Sequence, residues 1–434
     1  MRRASNAQLA RLPAILALLL AAGCARRSEP PLRFWAMGRE GEVVEERVRE
    51  FERESGIRVE VQQIPWSAAH EKLITSFVGQ STPDVAQLGN TWVSEFTALH
   101  SLEPLDARVL HSAEVHPQGY FPGIWDTNVI DGKLRGIPWY VDTRVLFYRR
   151  DLLKRAGYDS IPGTWQGWRQ AMEAVRRLAG PGKYAIFAPA NQWNVPVILG
   201  LQRGSPLLVD DDTRAAFSDT SFRRAFEFYA SWYRDRLAPP LTNNEIANLY
   251  DEFARATFSM YVSGPWDMGE FSRRLPPSLA DAWETAPMPG PDGESSRLSL
   301  AGGSSLVIFH RSRRQDDAWK LIEFLSRPEQ QVAFYHACGD LPARREAWAD
   351  SALAVDRHLH AFRIQLERAV PTPKVPEWEQ IANRLQDYAE RVARGASPVD
   401  SALAGLDRDV DRMLEKRRWL VERARHASHA GFAP

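Results

Sequence analysis

The sequence predicts an α/β protein with two lobes, and three observations carry that prediction. Short apolar segments alternate with helical segments from Leu32 to Trp92. A second alternating set begins near Val145, and a further apolar strand follows at residues 306–309. The chain has 434 residues, which is long enough for two or three domains. This order indicates two α/β lobes between which the chain crosses more than once.

The first alternating set reads as strand, helix, strand, helix, strand. Residues 32–35 are apolar, and apolar side chains recur at helical spacing within 42–54. Residues 57–61 alternate between apolar and polar, which is typical of a half-buried strand. A second helix is predicted over 67–78, and a short apolar strand over 85–88. This rhythm predicts a mostly parallel sheet.

The third strand ends in the most informative stretch of the chain. It runs into Gly89, Asn90, Thr91 and Trp92, which place an amide, a hydroxyl and an indole in the turn before a helix. Small ligands bind at the carboxyl ends of strands in open α/β sheets. An aromatic ring beside neutral hydrogen-bonding groups suits a solute with an apolar face and many hydroxyls, such as a sugar.

The second set continues the alternation toward the carboxyl end. Strands are predicted at residues 145–148, 184–187 and 257–262, and helices at 165–179 and 221–237. Most tryptophans are assigned to packing: Trp35, Trp165, Trp168, Trp232, Trp283, Trp319, Trp348 and Trp419. The chain has 15 Trp in all, so a minority remain to line a pocket.

Charge and composition exclude several classes of function. Lys+Arg (55) equals Asp+Glu (55), so the basic excess required for general binding to nucleic acid is absent. The 10 His show no recognisable zinc spacing, and no Walker-type lysine loop is present. We therefore expect no metal, no cofactor and no nucleic-acid partner.

The amino terminus has the pattern of a lipoprotein signal peptide over residues 1–24. Arg2, Arg3 and Arg11 precede an apolar run at 12–22 that is too short to span a bilayer. Cys24 follows small residues and is the predicted site of lipidation. The alternative is ordinary cleavage at the small residues, with Cys24 incidental. Polar residues 25–31 then form a tether.

Sequence blocks along the mature chain resemble one known family, in the family's usual order. They include PDVAQLGNTW (83–92), GKLRGIPWYVDTRVLFYRRDLL (132–153), MYVSGPWDMGEF (260–271), AGGSSLVIF (301–309) and AWKLIEFLSRPEQQVAFY (318–335). These blocks are similar to the extracellular solute-binding lipoproteins (family 1) of carbohydrate ABC importers, of the maltose/trehalose-type. The resemblance implies a two-lobed periplasmic-binding-protein fold (type II) with hinge strands and a central ligand cleft.

The resemblance also implies a division into lobes. Lobe 1 would comprise residues 32–142 plus 300–343, and lobe 2 residues 143–299 plus 344–425. Hinge crossings would fall near 141–144, 300–303 and 340–345.

The family's pattern, carried over position by position, supplies candidate ligand contacts. Aromatic and polar side chains would cover the apolar face and the hydroxyl belt of a sugar, and Asp142 is the first choice for a specificity determinant because carboxylate hydrogen bonds are strong. Asn90 could instead cap the following helix, and Asp142 could instead form a surface ion pair with Arg144. The implied ligand-binding residues are Glu40, Trp66, Asn90, Thr91, Trp139, Tyr140, Asp142, Trp193, Trp266, Gly302, Gly303 and Trp378.

The implied function is that of a receptor outside the cytoplasm. It would be a monomer, anchored to the membrane by its lipid, that binds a mono- or oligosaccharide and delivers it to permease subunits. A secreted glycoside hydrolase is one alternative, but it needs two carboxylates ~5–10 Å apart, and only Asp142 accompanies the cleft motifs. A third interpretation keeps the fold with a non-sugar solute. A polyamine would require several cleft carboxylates, and iron would require clustered Tyr and His.

Overall fold

The computed structural model describes residues 29–430, with side-chain positions up to residue 426. The predicted signal peptide and Cys24 lie outside the described residues. Within 29–430, no helix is both long enough and apolar enough to cross a membrane.

Helices and strands alternate along the described chain, as predicted. The strands are β1 Leu32–Met37, β2 Val59–Ile64, β3 Val85–Gly89, β4 Val129–Ile130, β5 Lys133–Leu134, β6 Ile137–Asp142, β7 Val145–Arg149, β8 Ile186–Phe187, β9 Leu208–Val209, β10 Arg214–Ala215, β11 Met260–Ser263, β12 Trp283–Ala286, β13 Ser299–Leu300, β14 Gly302–Ile308, β15 Leu341–Pro342 and β16 Ala369–Val370. The α-helices are Gly38–Ser55, Trp66–Val78, Val93–Ala98, Asp106–Leu110, Pro122–Asp126, Arg150–Arg155, Trp165–Ala179, Asn194–Gln202, Thr220–Arg234, Leu249–Ala254, Trp266–Arg274, Gln315–Leu325, Pro328–Cys338, Ser351–Val355, Arg357–Leu366, Trp378–Ala393, Val399–Met413 and Glu415–Ala430.

The first sheet has six strands in the order β15-β6-β14-β3-β1-β2. β1 pairs in parallel with β2 and β3, as the β-α-β-α-β order predicts. The rest of the sheet corrects the expectation of a mostly parallel sheet. β14 returns from the far part of the sequence and runs antiparallel to both β3 and β6. The sequence pattern of β14 does not show whether this strand runs parallel or antiparallel to partners that are so distant in sequence.

The second sheet has four strands in the order β12-β7-β11-β8. β11 is parallel to β8 and antiparallel to β7. β6 belongs to the first sheet and β7 to the second, so the chain passes between the sheets at residues 142–145. It passes back where β13 is followed by β14, and β13 pairs with β16 rather than with either large sheet.

Aromatic packing fills the interior beside both sheets. Trp168 and Trp232 are buried and pack edge to face at 5.0 Å between ring centroids. Trp283 stacks on Phe147 of β7. One packing assignment is wrong, because Trp419 is 54% exposed on the terminal helix. That helix has charged residues around most of its circumference, so its single tryptophan has no apolar face to join.

Candidate ligand-binding cleft

A cavity of ≈ 410 Å³ lies where strand ends of the two sheets meet. All the predicted ligand residues except Trp139 and Trp378 line it. From the side of the first sheet come Glu40, Trp66, Asn90, Thr91, Tyr140, Asp142, Gly302 and Gly303, and from the side of the second come Trp193 and Trp266. This volume is within the range of small-molecule sites, ~300–1,000 Å³.

Trp266 begins the helix that follows β11, and its side chain is 49% exposed. The indole folds back over Gly264, where an added Cβ would lie 2.1 Å from the ring. The Arg144 guanidinium lies 4.4 Å from the centroid of the same ring. Arg144 Nη1 also donates to Asp142 Oδ1 at 2.8 Å. Asp142 therefore lines the cleft and also forms the ion pair with Arg144. The two interpretations of this residue, as a cleft residue and as an ion-pair partner, are not mutually exclusive.

The loop after β3 is held rigidly by hydrogen bonds. Asn90 Nδ2 donates to the Gly302 carbonyl at 3.2 Å, and Asn90 Oδ1 accepts from Ser305 Oγ at 2.8 Å. Asn90 makes no helix-capping bond, so the capping alternative is wrong. Thr91 Oγ1 donates to Glu379 Oε1 at 2.5 Å. Both residues line the cavity as predicted, but their polar atoms already have protein partners.

Glu40 and Tyr140 form a buried polar network at the base of the cleft. The Tyr140 hydroxyl donates to Glu40 Oε1 at 2.7 Å, and Trp66 Nε1 donates to the same carboxyl at 3.3 Å. Gln87 Nε2 donates in turn to the Tyr140 oxygen at 3.0 Å. Burial, with a smaller effect of Glu40, raises the pKa of Tyr140 well above its usual value. Tyr140 is therefore a fixed donor that orients the Glu40 carboxyl.

Gly302 and Gly303 are the first two residues of β14, where its backbone lies close to that of β6. At Gly302 an added Cβ would lie 2.2 Å from Asp142 Oδ1. Gly303 has φ +111, in the region that favours glycine, and an added Cβ would lie 2.3 Å from the Tyr140 carbonyl oxygen. These glycines let β14 pair closely with β6 beside the cavity.

Two predicted ligand residues belong to the interior instead. Trp139 is 2% exposed and packs on Phe334 with 4.5 Å between ring centroids. The pairing of β6 with β14 is irregular at Trp139, and of this pair only Tyr140 lines the cavity. Trp378 is 1% exposed and packs edge-on against Trp193 at 5.6 Å. It supports a cleft residue without lining the cavity.

The structure adds cleft residues that the sequence analysis missed. Trp92 lies beside Trp66 and is contacted by the ring of His70, which shares a 2.6 Å hydrogen bond with Glu95. The motif at the strand end already indicates the Trp92 indole from the sequence, although Trp92 is not among the implied ligand-binding residues. Lining residues with polar or charged side chains that the sequence analysis missed come from separate parts of the chain: Arg144, Asn194, Ser304, Asp340 and Thr372.

Asp340 also corrects the expectation that Asp142 is the one carboxylate among the cleft motifs. Glu40, Asp142 and Asp340 line the same cavity. Burial, reinforced by the nearby charges of Glu40 and Asp142, raises the pKa of Asp340 to about 7. Within residues 29–426, no group of His, Cys, Asp and Glu has an arrangement that could hold a metal ion.

Comparison with known proteins agrees with this architecture. The model of the bacterial extracellular solute-binding protein family matches residues 37–332. The sugar-binding protein MalE from the phytopathogen Xanthomonas citri is 48% identical, and the alignment covers 91% of this chain and 99% of that one with a TM-score of 0.88.

Two more distant relatives also match most of this chain. A solute-binding protein of an ABC transporter from Thermotoga lettingae, solved with α-D-tagatose, is 25% identical over 88% of this chain and 99% of that one, with a TM-score of 0.71. The diacetylchitobiose binding protein of Streptomyces coelicolor is 23% identical over 82% of each chain. These matches confirm the predicted two-lobed α/β fold and the resemblance, and the chain belongs to the bacterial extracellular solute-binding proteins.

Proposed function

We propose that this protein binds a mono- or oligosaccharide between two closing lobes, outside the cytoplasm, and delivers it to the permease of an ABC importer. The observation that carries the proposal is the half-exposed Trp266 indole, which lines the cavity together with Arg144 and Asp142. An indole covers the apolar C–H face of a pyranose, and the neighbouring charged groups can bond its hydroxyls.

The relatives support a carbohydrate as the solute. The Xanthomonas citri protein is a sugar-binding protein, and the Streptomyces coelicolor relative binds diacetylchitobiose. Both are described as binding proteins, which favours a receptor over a glycoside hydrolase for this chain as well. The proposed ligand contacts are the predicted residues that line the cavity, without Trp139 and Trp378.

The proposal includes the predicted division into lobes and the lipid anchor at Cys24. The division at residues 142 and 143 is supported by the separate sheets of β6 and β7. After residue 343, the segment Arg345–Ala349 still packs against the helix Pro328–Cys338 and β15, and the helix Arg357–Leu366 then packs on β12 of the second sheet. The return to the second lobe is therefore supported from residue 357 onward. A ligand that contacts both lobes stabilises the closed arrangement over the open one, and this differential affinity drives closure.

Calorimetric titration of the mature chain tests the proposal. The panel is maltose, maltotriose, α-D-tagatose and diacetylchitobiose, and saturable binding of at least one sugar is expected. Trp266→Ala should weaken that binding by about tenfold or more, equivalent to ~1.4 kcal/mol, because the stacking surface is lost. The matched control is Trp419→Ala, which removes an indole of similar exposure away from the cavity and should leave the affinity unchanged. A panel without any binding would contradict the proposal.

The same mixtures distinguish a receptor from a hydrolase. Because Glu40, Asp142 and Asp340 share the cavity, the sugars that bind should be recovered after prolonged incubation and analysed by chromatography. We expect each sugar to be recovered intact. Time-dependent appearance of shorter saccharides, abolished by Glu40→Gln or Asp340→Asn, would establish the hydrolase instead.

A further inference from the structure

Asp340 occupies a junction in the molecule. It lies between the helix Pro328–Cys338 and β15, which borders β6 at the edge of the first sheet. Its side chain lines the ligand cavity and also a neighbouring chamber of ≈ 770 Å³. Glu40 and Trp266 line both spaces as well. Any ligand in the cleft that approaches this wall meets the Asp340 carboxyl group.

The carboxyl groups of Glu40 and Asp340 have different partners. Glu40 accepts hydrogen bonds from the Tyr140 hydroxyl and the Trp66 indole. Within the described residues, Asp340 has one hydrogen-bond partner, the Cys338 thiol at 3.3 Å, which is a weak donor. Glu40 therefore has two side-chain donors, whereas within the described residues the Asp340 carboxyl has only the weak thiol donor.

The charged groups around Asp340 favour its protonated form. Glu40 and Asp142 are the acidic groups that face it from the helix Gly38–Ser55 and from β6, and burial raises the pKa of the Cys338 thiol, which stays neutral. Arg144 is committed to Asp142 by their ion pair. The other charged or titratable groups that line the adjoining chamber are Arg39, Glu270, Arg273, Tyr335, His336 and Asp356.

We propose that Asp340 is a specificity-determining residue that presents a carboxylic acid O–H to the ligand, beside the accepting carboxylate of Glu40. This inference rests on the proposed sugar-binding function and names how the site selects its solute. A donor and an acceptor side by side match a hydroxyl group, which accepts one hydrogen bond and donates another.

Ionisation of Asp340 weakens binding in two ways. It removes the O–H donor, so a ligand oxygen aimed at it loses a hydrogen bond and faces a lone pair instead. It also places a second negative charge beside Glu40 in a cleft that a bound ligand would desolvate further. The ligand affinity should therefore be highest below neutral pH and should decrease as Asp340 ionises.

The test measures dissociation constants at about pH 5.5 and about pH 8.5 for the wild type and Asp340→Asn, with whichever of the four panel sugars the wild type binds. The wild-type Kd should increase by about tenfold or more at the higher pH, because the protonated fraction falls about tenfold per unit above the pKa. Asp340→Asn keeps an N–H donor without a charge, so its Kd should change less than about twofold.

Two further variants make the result specific. Asp316→Asn alters an exposed carboxylate outside the cavity and should keep the wild-type pH dependence. Cys338→Ala removes the thiol that donates to Asp340 and should move the loss of affinity to higher pH. The inference alone is overturned if the wild type binds its sugar equally at both pH values, or if Asp340→Asn keeps the pH dependence. Absence of binding by the wild type at both pH values overturns the proposed function and this inference with it.

Discussion

At the residue scale, two carboxyl groups in the cleft differ because their hydrogen-bond donors differ. Tyr140 and Trp66 satisfy the Glu40 carboxyl, whereas Asp340 has a weak thiol donor. The sequence could predict Glu40, since it follows the first strand. It could not predict Asp340, because nothing in the local pattern of residues 340–343 shows that this loop returns to the first helix. The sequence could not separate Trp139 from Tyr140 for a related reason. Both are buried, and the irregular pairing of β6 with β14 at this point depends on a strand that is distant in sequence.

Asp340 should also affect the pH dependence of folding stability. Its pKa is about 7 in the folded protein and close to 3.8 when unfolded, so the folded state binds the extra proton between these values. Stability contributed by the protonated form is therefore lost as pH rises from about 4 to about 7. At about pH 8, Asp340→Asn should have a free energy of unfolding that exceeds that of the wild type by on the order of 2–4 kcal/mol, and it should therefore unfold at a higher temperature.

Calorimetric or fluorescence melts at about pH 4 and about pH 8 check this expectation. At the lower pH the two proteins should differ little, because pH 4 lies close to the ordinary pKa of an aspartate and the unfolded chain has only begun to gain from ionisation of Asp340. Asp316→Asn serves as the control, since that carboxylate is 88% exposed. An equal stability difference at both pH values would show that the substitution acts through packing and not through ionisation.

At the element scale, the turn from β11 into the helix Trp266–Arg274 places the stacking ring. Gly264 has no side chain, so the indole can lie directly over its backbone. Gly264 and Pro265 separate the end of β11 from this helix, and both residues are visible in the sequence. The first three strands were predictable for a similar local reason, because apolar alternation and glycine ends define them. The antiparallel insertion of β14 was not, since its partners β3 and β6 are distant in sequence.

Gly264→Ala should displace the Trp266 ring without disrupting the fold. The new methyl group would overlap the ring at 2.1 Å, while the backbone at Gly264 is not in the left-handed region. We expect sugar affinity to fall about fivefold or more, equivalent to ~1 kcal/mol, because the ring loses its place beside Arg144.

Gly269→Ala is the matched control for that substitution. It lies in the helix that Trp266 begins, and its added Cβ would approach only the end of the Arg273 side chain, at 3.4 Å. Its affinity should equal that of the wild type. Calorimetry measures affinity for both variants, and near-ultraviolet circular dichroism reports the environment of the ring. An unchanged affinity in Gly264→Ala would show that the ring position is not important for binding.

At the scale of the whole molecule, contacts between protein atoms join segments that the proposed division assigns to different lobes. Thr91 donates to Glu379, at the start of a helix that packs against the helix Val399–Met413. Ser94 Oγ donates to the Val375 carbonyl at 3.1 Å, and Lys374 pairs with Asp126 at 2.8 Å. Under the proposed division, each of these bonds joins a residue of lobe 1 to a residue of lobe 2. They would therefore stabilise the arrangement in which the two lobes are close together.

Glu379→Ala should increase the fraction of molecules with separated lobes. A hydrogen bond to a charged group contributes about 1.5–3 kcal/mol, so its loss shifts that equilibrium about tenfold or more. Small-angle X-ray scattering without sugar should give a larger radius of gyration than the wild type. Glu390→Ala on the same helix removes an ion pair with Arg394 and leaves the contacts between the lobes intact. Its scattering should match the wild type, and identical scattering from Glu379→Ala would refute the role of this bond.

The Thr91–Glu379 bond has a consequence for transport. It favours the shut form by the same amount whether cargo is loaded or not, so the shut form alone is an ambiguous signal. A permease that responded only to the closed shape would also be stimulated by receptors without solute. Productive docking then requires a second cue that exists only when a solute occupies the interior, and the half-exposed Trp266 ring is well situated to supply it.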